Sequence, residues 1–394
     1  MRIEKMVKIL AIVLAAVLVL TLIPAAGAEG GHEQAKAAAA EYLKAAVAKK
    51  CPIQTYETDD PLISTASYTY ESALAALALM SEGDDEDAAK ILDAMVAGMN
   101  GDEEKYRDRF RNAHMVGEAA GLPGYWNNDM GQWLQDAYQV GTGTKSSAAA
   151  AVALLTYYAA HPNSDYLDTA RTGIDWVLDN CQDGNPGFTA GYTGWPYTNQ
   201  GDKSTKLTYK ATSDNLWMAA ACRMLAEVTG FGTYSEAEAS ALKFVKEDMY
   251  SSGDSRFFQG TKEDGVTPAA DLIMTDVQVL AELCTGDDSG MDNIGKCLAS
   301  DGGYAYDNAF TDGSLLENTA MAALALNRIG EKEKAEAALA MMEGTQLPSG
   351  VFPQASVPEL KTGEKDTVFR DWPSVGPCAW FILAVNGTNP LQGK

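Results

Sequence analysis

Two kinds of helix-forming segment alternate along this chain, and that alternation limits the fold more than any other feature. Residues 72–80 (SALAALALM), 146–160, 215–228, 275–284, 317–330 and 376–385 are apolar on nearly every face. Between them lie segments with a single apolar stripe, beginning near His32, Asp85, Ser164, Tyr234, Met291 and Glu331. In residues 85–100, for example, Ile91, Leu92, Met95, Val96 and Met99 recur at helical spacing with charge between them. A helix apolar all round must be buried, whereas a striped helix faces water on one side. Strict alternation of the two predicts two concentric rings, an all-α (α/α)6 toroid of about twelve helices with the apolar ones inside. A helical solenoid would alternate too, but it needs a sequence repeat, and none is evident.

The connections are asymmetric. Inner-to-outer links such as SEGDD and HPNSD are short. Outer-to-inner links, such as 51–67, 100–145, 182–214 and 343–374, are long and rich in aromatics, Gly and acids. The long loops must therefore gather on one rim, at the N-terminal ends of the inner helices. Long loops on a rigid scaffold commonly carry function, and that rim also receives the free N–H groups and positive dipole ends of the inner helices.

Residues 1–28 carry Arg2, Lys5 and Lys8, an apolar run ending at Pro24, and a small-residue stretch Ala26-Gly27-Ala28. This reads as a secretory signal peptide cleaved after about Ala28, leaving residues 29–394 as one toroid domain; left uncleaved, the run would act as an anchor. Cleavage removes three basic residues and one acid, taking the net charge from -24 to -26. Such acidity argues against a nucleic-acid partner and suits neutral or cationic material. Export permits disulfides, and Cys284 with Cys297 is the pair to test first. With three scattered His and no CxxC, neither a metal nor another cofactor is expected. A monomer is expected.

Several carboxylates fall at or just before inner-helix starts. Asp60, Glu71, Asp214, Asp276 and Glu317 form the candidate catalytic pool, with Asp129 and Asp312 in the same loops. Tyr68, Tyr70, Trp126, Asp129, Tyr192, Trp195, Trp217, Gln278, Tyr304 and Trp372 are candidate substrate contacts. Acids beside aromatic platforms suit a sugar site: aromatic faces stack on pyranose rings, one carboxyl protonates the leaving oxygen, and a second activates water or attacks C1. An acid at a helix start is more commonly a cap, worth roughly 0.5–2 kcal/mol. Glu71 is distinctive because it enters a helix that then turns wholly apolar.

Five short segments carry a family resemblance: Tyr68-Thr69-Tyr70-Glu71-Ser72-Ala73-Leu74-Ala75, Ala211-Thr212-Ser213-Asp214-Asn215, Asp276-Val277-Gln278, Glu317-Asn318-Thr319-Ala320, and Ser374 to Phe381 with Asn389-Pro390. Together they resemble the six-hairpin glycosidase-like superfamily, and within it a group of secreted bacterial and archaeal (α/α)6 proteins. The resemblance implies glycoside hydrolysis of a polysaccharide or oligosaccharide, without a cofactor. It departs at Glu71, Ser72 and Ser213-Asp214, where that group has Asp, Gln and Glu-His. The chain also resembles glycoside hydrolase family 8 in architecture, but Ala66 or Ser67 stands where that family places a catalytic Glu, leaving Asp60 as nearest substitute.

Three functions are in competition. The first is a secreted glycoside hydrolase, inverting if its working carboxyls lie roughly 6.5–9.5 Å apart. The second is a glycan-binding or exopolysaccharide-accessory protein on the same scaffold. The third is a polysaccharide lyase using His114 with Arg109 and Arg111.

Overall fold

The computed structural model describes residues 31–194 and 204–392. The expected signal peptide and Trp195 lie outside the described residues. Among those residues there are eleven α-helices: α1 (Glu33–Lys49), α2 (Thr69–Ser81), α3 (Asp85–Gly101), α4 (Thr144–Ala160), α5 (Ser164–Asn180), α6 (Thr212–Thr229), α7 (Gly232–Lys243), α8 (Thr275–Thr285), α9 (Leu316–Arg328), α10 (Lys332–Glu343) and α11 (Val375–Asn386). Helices α2, α4, α6, α8, α9 and α11 pack side by side in that order, and α11 against α2 closes the ring. Their interiors are buried almost without exception, Ala148–Leu154 and Ala379–Leu383 among them. The rest form the outer layer, so the architecture is the (α/α)6 toroid that the alternation predicts. One outer helix is missing. Near Met291 the chain makes only a 3-10 segment, Met291–Cys297, because Gly290 and Gly295 interrupt a stretch too short for a full helix.

A repeat does exist, and it organises the rim. Each inner helix begins with a residue whose N–H bonds to a carbonyl in the rim loop that comes next around the ring. Thr69 N donates to Asn112 O, Thr144 N to Ala190 O, Thr212 N to Gln259 O, Thr275 N to Tyr306 O, Leu316 N to Gln354 O and Val375 N to Thr55 O, at 2.9–3.2 Å. Where that residue is Thr, its Oγ1 also donates to the preceding carbonyl, of Arg111, Thr189, Phe258 and Ala305, at 2.6–2.7 Å. One residue before each of those carbonyls stands a buried wedge: Phe110, Phe188, Phe257 and Tyr304, with Phe352 and Ile53 in the matching places of the other two loops. Four of these wedges are held a second time from the fourth residue of an inner helix. The N–H groups of Phe188, Phe257, Tyr304 and Phe352 donate to Asn215, Gln278, Thr319 and Cys378. These few positions per unit recur at uneven spacing, which hides the repeat from a reading by period.

The latch makes a prediction. Thr275→Val keeps shape but removes the donor to buried Ala305 O, and should cost about 1–3 kcal/mol in urea unfolding. A change of only a few tenths would show that the latch is structural ornament.

The six cysteines are all free thiols. Cys284 Sγ donates to Leu216 O and Cys297 Sγ to Ile273 O, each at 3.3 Å, so the pairing expected from sequence is not formed. The two thiols belong to different layers, and each is occupied by a backbone carbonyl. No described helix is long and apolar enough to cross a membrane.

Candidate active site

The inner-helix register decides which side chains meet on the rim. The second residues of the six inner helices are Tyr70, Lys145, Ser213, Asp276, Glu317 and Gly376; the third residues of α2 and α6 are Glu71 and Asp214. Four carboxylates therefore converge from four helices, with one ammonium on α4.

Glu71 and Glu317 flank the start of α11. A Cβ added to Gly376 would lie 2.9 Å from Glu317 Oε2 and 3.7 Å from Glu71 Cγ, so only a glycine leaves room for both. Tyr56 OH donates to Glu71 Oε1 at 2.7 Å, and Tyr70 OH donates to Glu317 Oε1 at 2.8 Å. Burial, reinforced by the neighbouring Glu317, pushes the Glu71 carboxyl up to about 7. Beneath them is an aromatic floor. Tyr70 meets the fully buried Trp217 edge-on at 5.8 Å, Trp217 meets Trp380 at 6.4 Å, and Trp380 Nε1 reaches Tyr70 OH at 3.4 Å.

Asp276, on α8, faces Glu71 across the ring, three helices round in either direction. Asp214 is its neighbour on α6. Burial pushes Asp214 up to about 7; Lys145 opposes that shift and Asp276 adds to it. Asp276 is raised by burial, again opposed by Lys145, and its Oδ1 is buried with no hydrogen-bond partner among the described residues. Glu364, from the last rim loop, completes the group. It accepts from Tyr306 OH at 3.0 Å and from Gln259 Nε2, and burial and Asp276 raise it. Perturbed carboxyls gathered at one rim of a ring are a mark of catalytic sites.

The open side of the cleft carries tyrosines. Tyr56 meets Tyr68 edge-on at 5.5 Å, and Tyr68 lies 6.5 Å from Tyr138. Tyr138 is 55% exposed. Its hydroxyl nonetheless feels burial first, then Glu71 and Asp214, and is raised well above its ordinary range. An open ring face beside the acids is a place for a pyranose to stack.

Of the residues singled out in the sequence, Glu71, Asp214, Asp276, Glu317, Tyr68, Tyr70 and Trp217 are brought together. Asp60 is exposed, and its Oδ1 accepts from Leu62 and Ile63 N–H, capping a turn. Asp129 is exposed in the tip between the paired strands Tyr125–Asn127 and Gln132–Leu134, where Trp126, 56% exposed, sits opposite Trp133. Tyr192 packs edge-on against Trp176, with its hydroxyl on Asn180 O, and Trp372 is half-buried beside Gln354. Gln278 and Tyr304 belong to the latch: Gln278 is spent on Phe257, and Tyr304 is a wedge beneath the rim. Lys145, Glu364 and Tyr138 are the additions, and Tyr56 and Tyr306, aromatics of the long rim loops, join the site through Glu71 and Glu364. Lys145 is foreshadowed by its register, since it follows Thr144 as Asp276 follows Thr275.

The basic residues considered for a lyase are committed elsewhere. Arg111 is bidentate on Asp102 and bonds Val140 O, and Arg109 lies over the Tyr106 and Trp176 rings. His114 is buried against Gly98, and desolvation holds it down to about 4. His32 bonds Glu343 and Glu336 on the outer layer, and His161 bonds Asp85. Among the described residues no group of His, Cys, Asp and Glu is arranged to hold a metal ion.

The sequence matches no family model and no curated protein. Solved structures are similar in fold. A glycosidase variant in complex with glucose superposes with a TM-score of 0.61 at 13% identity, covering 92% of this chain and 100% of that one. A protein described as a novel alpha-amylase from Clostridium perfringens gives 0.62 at 12%, covering 92% and 99%. Cellobiose 2-epimerase from Spirochaeta thermophila DSM 6192 gives 0.63 at 14%, covering 91% and 97%. The likeness extends along the whole toroid.

Proposed function

We propose that this chain is an exported, monomeric glycoside hydrolase that cleaves a polysaccharide in the rim cleft. One observation carries the reading: half-buried carboxyls with raised proton affinity stand on opposite inner helices at one rim of the ring, beside an aromatic cluster. Glu71 is the general acid. Burial and Glu317 keep it protonated up to about pH 7, and protonation of the leaving oxygen needs that proton. Asp276 is the base. It faces Glu71 across the ring, and its unpartnered Oδ1 accepts a proton from water. Placement on opposite inner helices suits an inverting enzyme, in which a sugar and a water lie between the two carboxyls. The similar structures include a glycosidase, an alpha-amylase and an epimerase, which supports a carbohydrate substrate.

The test is reducing-end release from a panel of neutral and acidic polysaccharides. Release from a neutral glycan, with kcat/KM falling as pH rises through about 7, is expected from the Glu71 carboxyl. Unsaturated, ultraviolet-absorbing products would indicate a lyase. Tight binding without cleavage would indicate a glycan-binding protein.

A further inference from the structure

Lys145 is out of place by every local rule. It is the second residue of α4, at the positive end of the helix dipole, where a cation is disfavoured. Among the described residues its ammonium lies over the face of the Tyr70 ring, 4.0 Å from Nζ to the centroid. Among the described residues no carboxylate lies within 4.0 Å of the ammonium and no acceptor takes its protons, although Glu71, Asp214 and Asp276 all feel its charge. Three N–H donors thus stand near acids that lie more than 4.0 Å away yet feel the charge. A lysine placed to neutralise an acid would touch one. It rests instead on the ring of Tyr70, whose own hydroxyl is spent on Glu317.

The geometry points to Lys145 as a substrate-contacting, specificity-determining residue: with Asp214 on the next inner helix, it clamps a free hydroxyl of a neutral pyranose. The inference rests on the hydrolase reading and names the substrate class for the same cleft. A hydroxyl is donor and acceptor at once, so it takes a proton from Lys145 and gives its own to Asp214, filling the gap between them. A uronate would fit worse. Its carboxylate would gain one ammonium and meet Glu71, Asp214, Asp276, Glu317 and Glu364 around the same cleft, and like charges at short range are costly in a desolvated site.

The experiment is calorimetric titration of the full chain with maltohexaose and cellohexaose as neutral probes and a galacturonate hexamer as the acidic one. Wild type, Lys145→Met and Lys145→Arg are compared, and reducing-end release is followed in parallel. Loss of a charged hydrogen bond should weaken the neutral hexamer that binds by about ten- to a hundredfold in Lys145→Met. Lys145→Arg, which keeps charge and donors, should recover part of the loss, and thermal unfolding of both variants should match wild type. Unchanged affinity in Lys145→Met, or tighter binding of the galacturonate hexamer than of either neutral one, would overturn the clamp while leaving hydrolysis intact. Wild type that neither binds nor cleaves any of the three would remove both readings.

Discussion

Glu71→Gln should lower kcat on the susceptible glycan by about 10²–10⁴-fold and, at the same time, stabilise the protein above neutrality. The two effects have one cause. Gln preserves the shape that accepts the Tyr56 hydroxyl but has no proton to give the leaving oxygen. The wild-type carboxyl is raised from its ordinary value to about 7 because burial and Glu317 penalise its charge. The folded chain therefore holds this proton more tightly than the unfolded chain does. Its contribution to stability is fully present below the unfolded pKa of about 4.3–4.5, shrinks as pH rises through 7, and is absent above that. An amide pays no such penalty. Urea unfolding should find wild type and Glu71→Gln alike near pH 4, with the variant more stable at pH 8 by about 1–3 kcal/mol. Equal stability at pH 8 would mean that Glu71 is an ordinary ionised carboxylate.

Asp102→Ala should be the most damaging change outside the cleft. Asp102 closes the C-terminal end of α3 and receives Arg111 through both oxygens, while Arg111 is fully buried. Removing the acid leaves a buried guanidinium without its counter-charge, which costs about 3–5 kcal/mol. The damage reaches the site by a short route. Arg111 O accepts the Thr69 hydroxyl, Asn112 O accepts Thr69 N–H, and Glu71 follows two residues later. Unfolding free energy and KM should both deteriorate. A loss below 1 kcal/mol would mean that the other contacts of Arg111, Val140 O and the Tyr106 ring among them, suffice to hold it.

The rings were legible because burial imposes composition: a helix like Ala379–Leu383 cannot face water, and Ile91, Leu92 and Met95 cannot all face it. The acids on α2, α6, α8 and α9 were legible because each interrupts an apolar run at its first turn. Four limits were physical. The latch spends side chains on backbone groups, so Gln278 and Tyr304 have the look of ligands in a sequence while serving the scaffold. Asp60 and Glu71 are both acids near a helix start, and only the direction of the chain after the turn separates a cap from a cleft residue. Lys145 gave no signal by type, since a lysine before a polyalanine helix reads as a solvated end; its register with Asp276 and Glu317 was the clue. Glu364 lies in a loop without period, and its approach to Tyr306 and Gln259 is a matter of closure around the ring.

The central claim is that Glu71 supplies the proton that frees the leaving group. It is tested most directly by comparing wild type with Glu71→Gln on the natural glycan and on a dinitrophenyl glycoside of the same sugar. The activated phenolate departs without protonation. The variant should lose about 10²–10⁴-fold in kcat/KM on the glycan and less than tenfold on the activated substrate. Equal losses on both would contradict the assignment and place the acid elsewhere on the rim.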